Sequence, residues 1–574
     1  MSTRASGGTF GFLMKENIVA PPGYNRWRVP PASIAIHLCI GSVYAWSVFN
    51  PALTRELGVV APAGDDWSLS SVVWIFSVAI VCLGLAAAFG GKWLEKVGPR
   101  CVGVVAASLW GGGFLVGSIG IATHQLWLVY LGYGVLGGCG LGLGYVSPVS
   151  TLIRWFPDRR GMATGMAIMG FGGGAIIGAP LIQGLLDFFA RAPDYLGTEA
   201  ALQLVTEGGR RFAETAAGTV EVVVANAAQA AALPGGGQAG VYAIGTGNTG
   251  AASTFLTLGI VYFIVMVIAA FQYRVPAEGW RPKGFTPRAA SGSMVTSDDV
   301  HIDQALKTRQ FWLLWIVLCF NVTAGIGVIG VAKTMVNEIF GDLVIVTAAF
   351  ASTYVLMISV FNMVGRFFWA STSDYIGRKN TYTCFFVLGT LLYLSIPWFA
   401  SAGGTPALIG FYIATMVIFT LYGGGFATIP AYLADMFGTL HVGGIHGRLL
   451  TAWSFAGVLG PFAITYLRNL SKEQAITDLA AVVDPAAFAQ KFGASIDQLQ
   501  SLVAANSVTI AGLMDIAPAG TADPTASLYN TTMYAMAALL IIAFFANLMV
   551  RPVNERHHVK RTHPQLAPTS VPAT

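Results

Sequence analysis

Apolar runs long enough to cross a bilayer recur from one end of this chain to the other, and that recurrence leaves few folds open. Twelve are counted, at about residues 29–51, 69–90, 101–121, 126–148, 162–188, 254–273, 311–332, 344–370, 381–400, 407–432, 448–467 and 530–550. Each meets the ~20 residues that a helix rising 1.5 Å per residue needs to span about 30 Å of hydrocarbon. In lipid every backbone N–H and C=O must be satisfied inside the element, so runs of this length read as helices. Hydrophobic residues make up 55% of the 574 and charged residues only 10%, which excludes a disordered chain and an ordinary soluble enzyme. The expected fold is an all-α membrane protein with twelve transmembrane helices.

Residues 1–27 are polar and mixed, and the first apolar run is too long for a signal h-region, so no cleaved leader is expected. Cys39, Cys82, Cys101, Cys139, Cys319 and Cys384 lie in or at the ends of runs without a CxxC pair. Small apolar packing is their expected role, and no disulfide scaffold, metal cluster or cofactor is called for. With both termini in the cytoplasm, 23 of the 32 Lys and Arg fall on the inner side and eight on or near the outer. That asymmetry fits the positive-inside rule and a multi-pass protein of the inner (plasma) membrane. The net charge of +5 belongs to those loops; no basic domain interleaved with aromatics is there to bind nucleic acid.

The chain repeats itself in register. Gly91–Arg100 and Ala370–Lys379 share the pattern small-x-x-x-acid-x-x-Gly-x-basic, with Glu95 and Asp374 separated by 279 positions. Phe156 and Phe437, and Pro180 and Pro461, are each offset by 281. Two pseudo-symmetric six-helix bundles follow, 28–273 and 309–550, joined by a polar, basic linker, 274–308, and flanked by cytoplasmic segments 1–27 and 551–574. Each bundle is interrupted at the equivalent place, by 189–252 and by 470–529, both expected to be periplasmic. The first, with its Pro234–Gly240 stretch, reads as a tethered and partly ordered loop. The second carries helix-like runs and stays open between a small cap and a loop.

Within 355–379 the apolar run carries Arg366, with Asn362 one turn earlier. A charge inside a spanning helix is costly and by default marks a substrate or ion path. Snorkelling is the bland alternative, since Asp374 is only eight residues, about 12 Å, further on. His37 falls near the middle of the first run, and no Asp or Glu lies deep in any run. It is a candidate proton carrier or an interhelical hydrogen bonder. Lys333, at the outer end of the seventh run, reads as a snorkelling lysine or an outer gate. The glycine runs pack helices closely and lack the spacing of a phosphate loop.

Two parallel six-helix repeats, each with an acid–Gly–basic turn after its second helix, resemble the major facilitator superfamily. Gly41–Phe49, Arg154–Gly161, Arg309–Trp312 and the Phe361-Asn362…Arg366…Ser373–Arg378 run resemble, more narrowly, its oxalate/formate antiporter family. The resemblance implies that Arg366 grips the carboxylate of the transported acid; a guanidinium fork suits that role. Tyr44 and Tyr145 match family tyrosines, and Phe171, Tyr422 and Phe426 fall on aromatic positions with changed identity. Trp453 stands where oxalate-specific members place a second cation, a lysine. Asn321 and Asn362 are further candidate donors. The pairs Glu95/Arg100 and Asp374/Arg378 are the expected conformational latch.

One cation in an aromatic cage implies a secondary transporter of monocarboxylates such as lactate, pyruvate or formate, with protons as the candidate co-substrate. It would work in the lipid bilayer as a monomer. The rivals are an oxalate/formate exchanger and a carboxylate sensor built on a transporter fold. Neither HExxH nor GxSxG is present to support an enzyme.

Overall fold

The protein is described by a computed structural model over residues 10–559, apart from 208–209, 216–217, 232, 234, 286–293, 297 and 505–507. The first residue of the Pro234–Gly240 stretch, part of the 274–308 linker and the ends of the two terminal segments therefore lie outside the described residues. Among the described residues twelve helices are long and apolar enough to cross a membrane. They are α1 (Arg26–Val48), α2 (Leu69–Val97), α3 (Pro99–Ala122), α4 (Leu126–Trp155), α5 (Arg160–Phe189) and α6 (Ala251–Phe271). The second set is α7 (Arg309–Phe340), α8 (Ala349–Ile376), α9 (Arg378–Ala402), α10 (Gly404–Phe437), α11 (Val442–Ala480) and α12 (Pro524–Leu548).

The repeated glycine explains itself in the backbone. Gly98 and Gly377 have φ of +91° and +86°, a region closed to most L side chains. Each ends one helix and lets the next start at the following residue, so α2 folds directly back into α3 and α8 into α9. Side-chain caps on Ser68, Thr308 and Thr347 satisfy orphan N–H groups at the starts of α2, α7 and α8. Ser42–Val48 of α1 is a 3₁₀ helix. Tyr130–Gly137 of α4 is π-helical, and α11 is interrupted at Leu450. α11 also runs past the expected start of the second insertion at 470, as far as Ala480. Its last turns bury Ile476 and Leu479 and join Gln474 to Asp478 at (i, i+4), so the amphipathic pattern carries the helix onward.

The halves meet most tightly near the face that carries both turns, here called the turn face. There a Cβ on Gly161 of α5 would overlap the Ala370 carbonyl of α8, and one on Gly91 of α2 would fall 2.7 Å from Gly444 Cα of α11. The opposite side, where both insertions lie, is the insertion face. Gly184 of α5 and Gly330 of α7 have open space around them, and Lys333 is exposed.

An ion network ties the halves at the turn face. Asp374 accepts from the backbone N–H of Gly161 (2.8 Å) and Met162 (2.9 Å), so a carboxylate of one half caps the first turn of α5 in the other. Arg378 pairs with Asp374 at 2.7 Å and with Asp435 at 2.9 Å, and Asp435 also receives Arg160 at 2.9 Å. The expected Glu95/Arg100 pair does not form. Glu95 pairs instead with Arg154. Arg100, in the first turn of α3, points away and donates to the carbonyl of Phe12 in the N-terminal segment and to those of Phe271 and Tyr273 at the end of α6.

The linker adds a strap. Asp299–Val300 pairs antiparallel with His558–Val559 of the tail, and the short helix Ile302–Ala305 presents Asp303 to both halves. Its carboxylate takes Arg448 of α11 at 2.7 Å and Lys92 of α2 at 3.1 Å, and those two partners hold its pKa down to about 2.

The first insertion is folded, which corrects the loop expectation. Its strands are β1 (Tyr195–Gly197), β2 (Leu204–Glu207), β3 (Arg210–Thr215), β4 (Gly218–Ala225) and β5 (Gly240–Ala243). They form one antiparallel sheet in the order β1-β5-β4-β3-β2. The β-branched run Val220–Val224 supplies the central strand, and Val223 and Tyr242 pack on Val59, Val60 and Ala61 of the loop after α1. The second insertion is helical, with Pro485–Phe492, Leu499–Ala504 and Ile510–Met514; Phe488 and Leu513 are its buried anchors.

Candidate substrate site

Arg366 sits at the junction of the halves and is fully buried. Glycines of α5 allow this: a Cβ on Gly172 would fall 2.7 Å from Arg366 Nε, and one on Gly173 would fall 2.6 Å from Met363 Sδ. Arg366 Nε donates to Asn362 Oδ1 at 3.0 Å and Nη1 donates to the Ile168 carbonyl of α5 at 3.3 Å. Its guanidinium carbon lies 5.7 Å from the ring centre of Phe171 and 5.2 Å from that of Phe426, one ring from each half. These partners are an amide, a carbonyl and two aromatic faces, and none carries a charge. Snorkelling is thereby set aside for this conformation: the guanidinium is enclosed by protein, not by an interface.

The expected aromatics gather around it. Trp453 lies 5.4 Å from Phe171, 4.8 Å from Phe426 and 5.5 Å from Tyr145, centre to centre. Tyr44 is 5.2 Å from Phe171 and 6.4 Å from Trp453, and Tyr422 is 5.3 Å from Phe426. α1, α4, α5, α8, α10 and α11 thus each contribute to one cage. Asn362 orients the arginine. Asn321 stands one layer back, where its Nδ2 would meet a Cβ on Gly425 and its side chain neighbours Tyr422.

The hydrogen-bond inventory of the cage is one-sided. Among the described residues no well-formed hydrogen bond is made by Arg366 Nη2, the Tyr44, Tyr145 and Tyr422 hydroxyls, Trp453 Nε1 or Asn321 Nδ2, all of them buried, although the Tyr44 hydroxyl lies close to both Arg366 and Tyr422. Unsatisfied buried donors are costly, and a group of them converging on one cation describes a site built for an acceptor-rich guest. A carboxylate offers two oxygens and about four lone-pair directions.

His37 lies against this cage, 5.2 Å from Tyr145 and 6.2 Å from Phe171. Its Nδ1 is 2.6 Å from the Ala167 carbonyl oxygen and its Nε2 is 3.2 Å from that of Tyr145. Sequence reasoning missed His446, buried with its ring 5.9 Å from Tyr145, and it missed the Arg154, Arg160 and Asp435 members of the turn-face network. A signal was available for two of these: the offset of 281 that aligns Phe156 with Phe437 also aligns Arg154 with Asp435.

A family model described as Major Facilitator Superfamily matches residues 32–195 and 217–461. The chain belongs to the major facilitator superfamily. Among solved structures of this superfamily, the E. coli fucose:proton symporter FucP superposes with a TM-score of 0.52 at 12% identity, over 90% of this chain and 99% of that one. A bacterial homologue of the iron transporter ferroportin gives 0.53 at 10% identity, over 91% and 98%. These likenesses establish the fold.

Closer in sequence is the oxalate:formate antiporter of Oxalobacter formigenes, 24% identical over 437 residues, 76% of this chain and 83% of the relative. The apicoplast pyruvate carrier 1 of Toxoplasma gondii is 23% identical over 72% of this chain and 78% of its own. Human monocarboxylate transporter 11 is 32% identical over a shorter stretch, 29% of this chain and 34% of the relative. This superfamily member is therefore a multi-pass membrane transporter that resembles the oxalate/formate antiporter family.

Proposed function

We propose that the protein moves small monocarboxylates across a membrane by alternating access, with the carboxylate seated on Arg366 between the two halves. The observation that carries this is the Arg366 Nη2 left without an acceptor inside a ring of equally unmatched donors. One cation suits one negative charge, and the faces of Phe171, Phe426 and Trp453 suit a short acyl chain. Relatives named for oxalate:formate, pyruvate and monocarboxylates support the substrate class. All cage residues come from one chain, so a monomer suffices. The charge asymmetry of the loops supports a plasma-membrane orientation with both termini inside.

The test is uptake of labelled pyruvate, lactate, formate and oxalate into proteoliposomes, with unlabelled acid or a proton gradient as the driving force. Pyruvate or lactate uptake well above that of oxalate supports the reading; oxalate preferred over both monoacids sinks it in favour of an oxalate/formate exchanger. Trp453→Lys should then bring oxalate uptake up and pyruvate uptake down, each by about tenfold, since a second cation in the cage favours a dianion. The same panel run on that variant checks it, and an unchanged preference would remove Trp453 from the selectivity account.

His37 supports proton coupling. A neutral imidazole has one N–H and satisfies one of the two carbonyls that face it, while the imidazolium donates to both. The titratable groups facing it are Tyr145 of α4, Arg366 of α8 and His446 of α11. α5 offers a carbonyl and the Phe171 ring, and α6 turns Tyr262 and Tyr273 toward Cys39 and Ser33. A carboxylate on Arg366 cancels the charge that opposes a proton on His37, so each ligand favours the other. His37→Gln should transport with its response to an inward proton gradient lost. Full retention of that response would refute the coupling role.

A further inference from the structure

A polar cavity of about 300 Å³ lies near the insertion face, and nothing in the Arg366 mechanism uses it. Val48, Pro51, Ala52 and Arg55 line it from the end of α1 onward, Gln183, Leu186, Asp187 and Ala190 from α5, and Gln229 and Leu233 from the first insertion. Thr249 and Val59 complete it. The short helix Ala227–Ala231, which carries Gln229, belongs to the same insertion as the β1–β5 sheet, so the insertion walls this cavity.

The cavity is in line with the cage. The chain runs from the cage straight to the cavity: Tyr44 lies in the 3₁₀ end of α1, Ser42–Val48, the short helix Asn50–Leu53 follows, and Val48, Pro51, Ala52 and Arg55 stand 4, 7, 8 and 11 positions past Tyr44. On α5, Gln183, Leu186 and Asp187 fall within about 60° of Gly172 at 3.6 residues per turn, and Ala190 follows just past the helix end. Gln183 stands about 16 Å further along that helix than the glycine that touches Arg366. The two elements that carry Tyr44 and Gly172 at the cage therefore also lead to the cavity.

Arg55 is the unmatched group here. It is half-buried, its Nε is fully enclosed without an acceptor, and it forms no ion pair among the described residues. Two acids lie nearby, Asp187 in the cavity wall and Glu56 next in sequence, and neither pairs with Arg55 among the described residues. Asp187 is exposed and takes the Gln183 amide at 2.8 Å. Glu56 is hydrogen-bonded by Thr249, and burial pushes its pKa up to about 7. Val59 holds a φ of +58°, a strained conformation for a β-branched residue, and strain of this kind collects at ligand sites.

We infer that this cavity is an outer docking site for a small carboxylate, with Arg55 as its anion ligand and Gln183, Gln229 and Thr249 as neutral polar neighbours. It rests on the transport reading above, and it makes the first insertion one wall of a waiting position on the route to Arg366.

The experiment titrates fluoropyruvate into the full-length protein in nanodiscs and follows bound ¹⁹F signals. Wild type should show two bound signals, Arg55→Gln should lose one, and Arg366→Ala should keep the one that Arg55→Gln loses. Arg55→Lys, which retains the charge, should restore it and thereby separate loss of the ligand from loss of the fold. Uptake by Arg55→Gln should show KM raised about tenfold with little change in the maximal rate. A bound signal in Arg366→Ala that persists when Arg55→Gln is added, or an Arg366→Ala protein with no bound signal, overturns the docking site. Failure of the Arg366 reading looks different: both signals and uptake would survive Arg366→Ala.

Discussion

Arg366→Ala is expected to abolish carboxylate uptake. Truncating one partner of a buried, hydrogen-bonded charge pair costs about 2–5 kcal/mol, so affinity should fall at least ~30-fold. Arg366→Lys keeps the charge and loses the planar fork and the hold of Asn362, and should fall between the two. Stability should move the other way. In the empty carrier Arg366 is a buried cation with only neutral partners and one nitrogen unmatched. Replacing such a group with an apolar side chain is often neutral or stabilising. Arg366→Met should therefore melt no lower than wild type while failing to transport. Labelled pyruvate uptake and a thermal melt on the same preparations check both halves. Uptake that survives in Arg366→Ala would return the arginine to a structural role.

The second large effect concerns the turn face. Asp374 holds the N-terminus of α5 with two backbone N–H groups and is itself held by Arg378. Hydrogen bonds to a charged group contribute about 1.5–3 kcal/mol, enough to move a two-state balance by ten- to a hundredfold. Asp374→Asn keeps the shape and removes the charge, so the closed turn face should lose population. Transport should fall about tenfold while fluoropyruvate binding persists. Spin labels at the exposed Lys96 and Leu440, one on each side of the junction, should move apart in the variant. Wild-type transport and an unchanged label distance would together rule out the latch.

Much of this fold is legible in the chain itself. Span length reports backbone chemistry in lipid directly, so twelve helices could be read off the residues. The acid–Gly–basic repeat was readable because its glycine answers a backbone need, a positive φ between two abutting helices. Arg366 was readable because a charge has few reasons to be in hydrocarbon. The misses are pairings. Glu95 and Arg100 are close in sequence, yet helix direction sends Arg100 to the carbonyls at the end of α6 and leaves Glu95 to Arg154. Which of two nearby basic residues an acid selects depends on helix rotation, and composition is silent about that. The sheet of the first insertion was obscured by its Ala and Gly content, although Val220–Val224 carried a strand signal. His446 escaped notice because it sits before the break at Leu450, outside the apolar run.

The two insertions bear on the order in which this protein was assembled. They occupy the same place in each repeat, yet one is an antiparallel sheet and the other a group of short helices. A doubling that copied an insertion already in place would leave two of one kind. Two unlike additions at one address are what separate gains on an already doubled half would leave. The halves are a pair by descent, while their outer additions share only an address, and one can be remodelled without a counterpart change in the other.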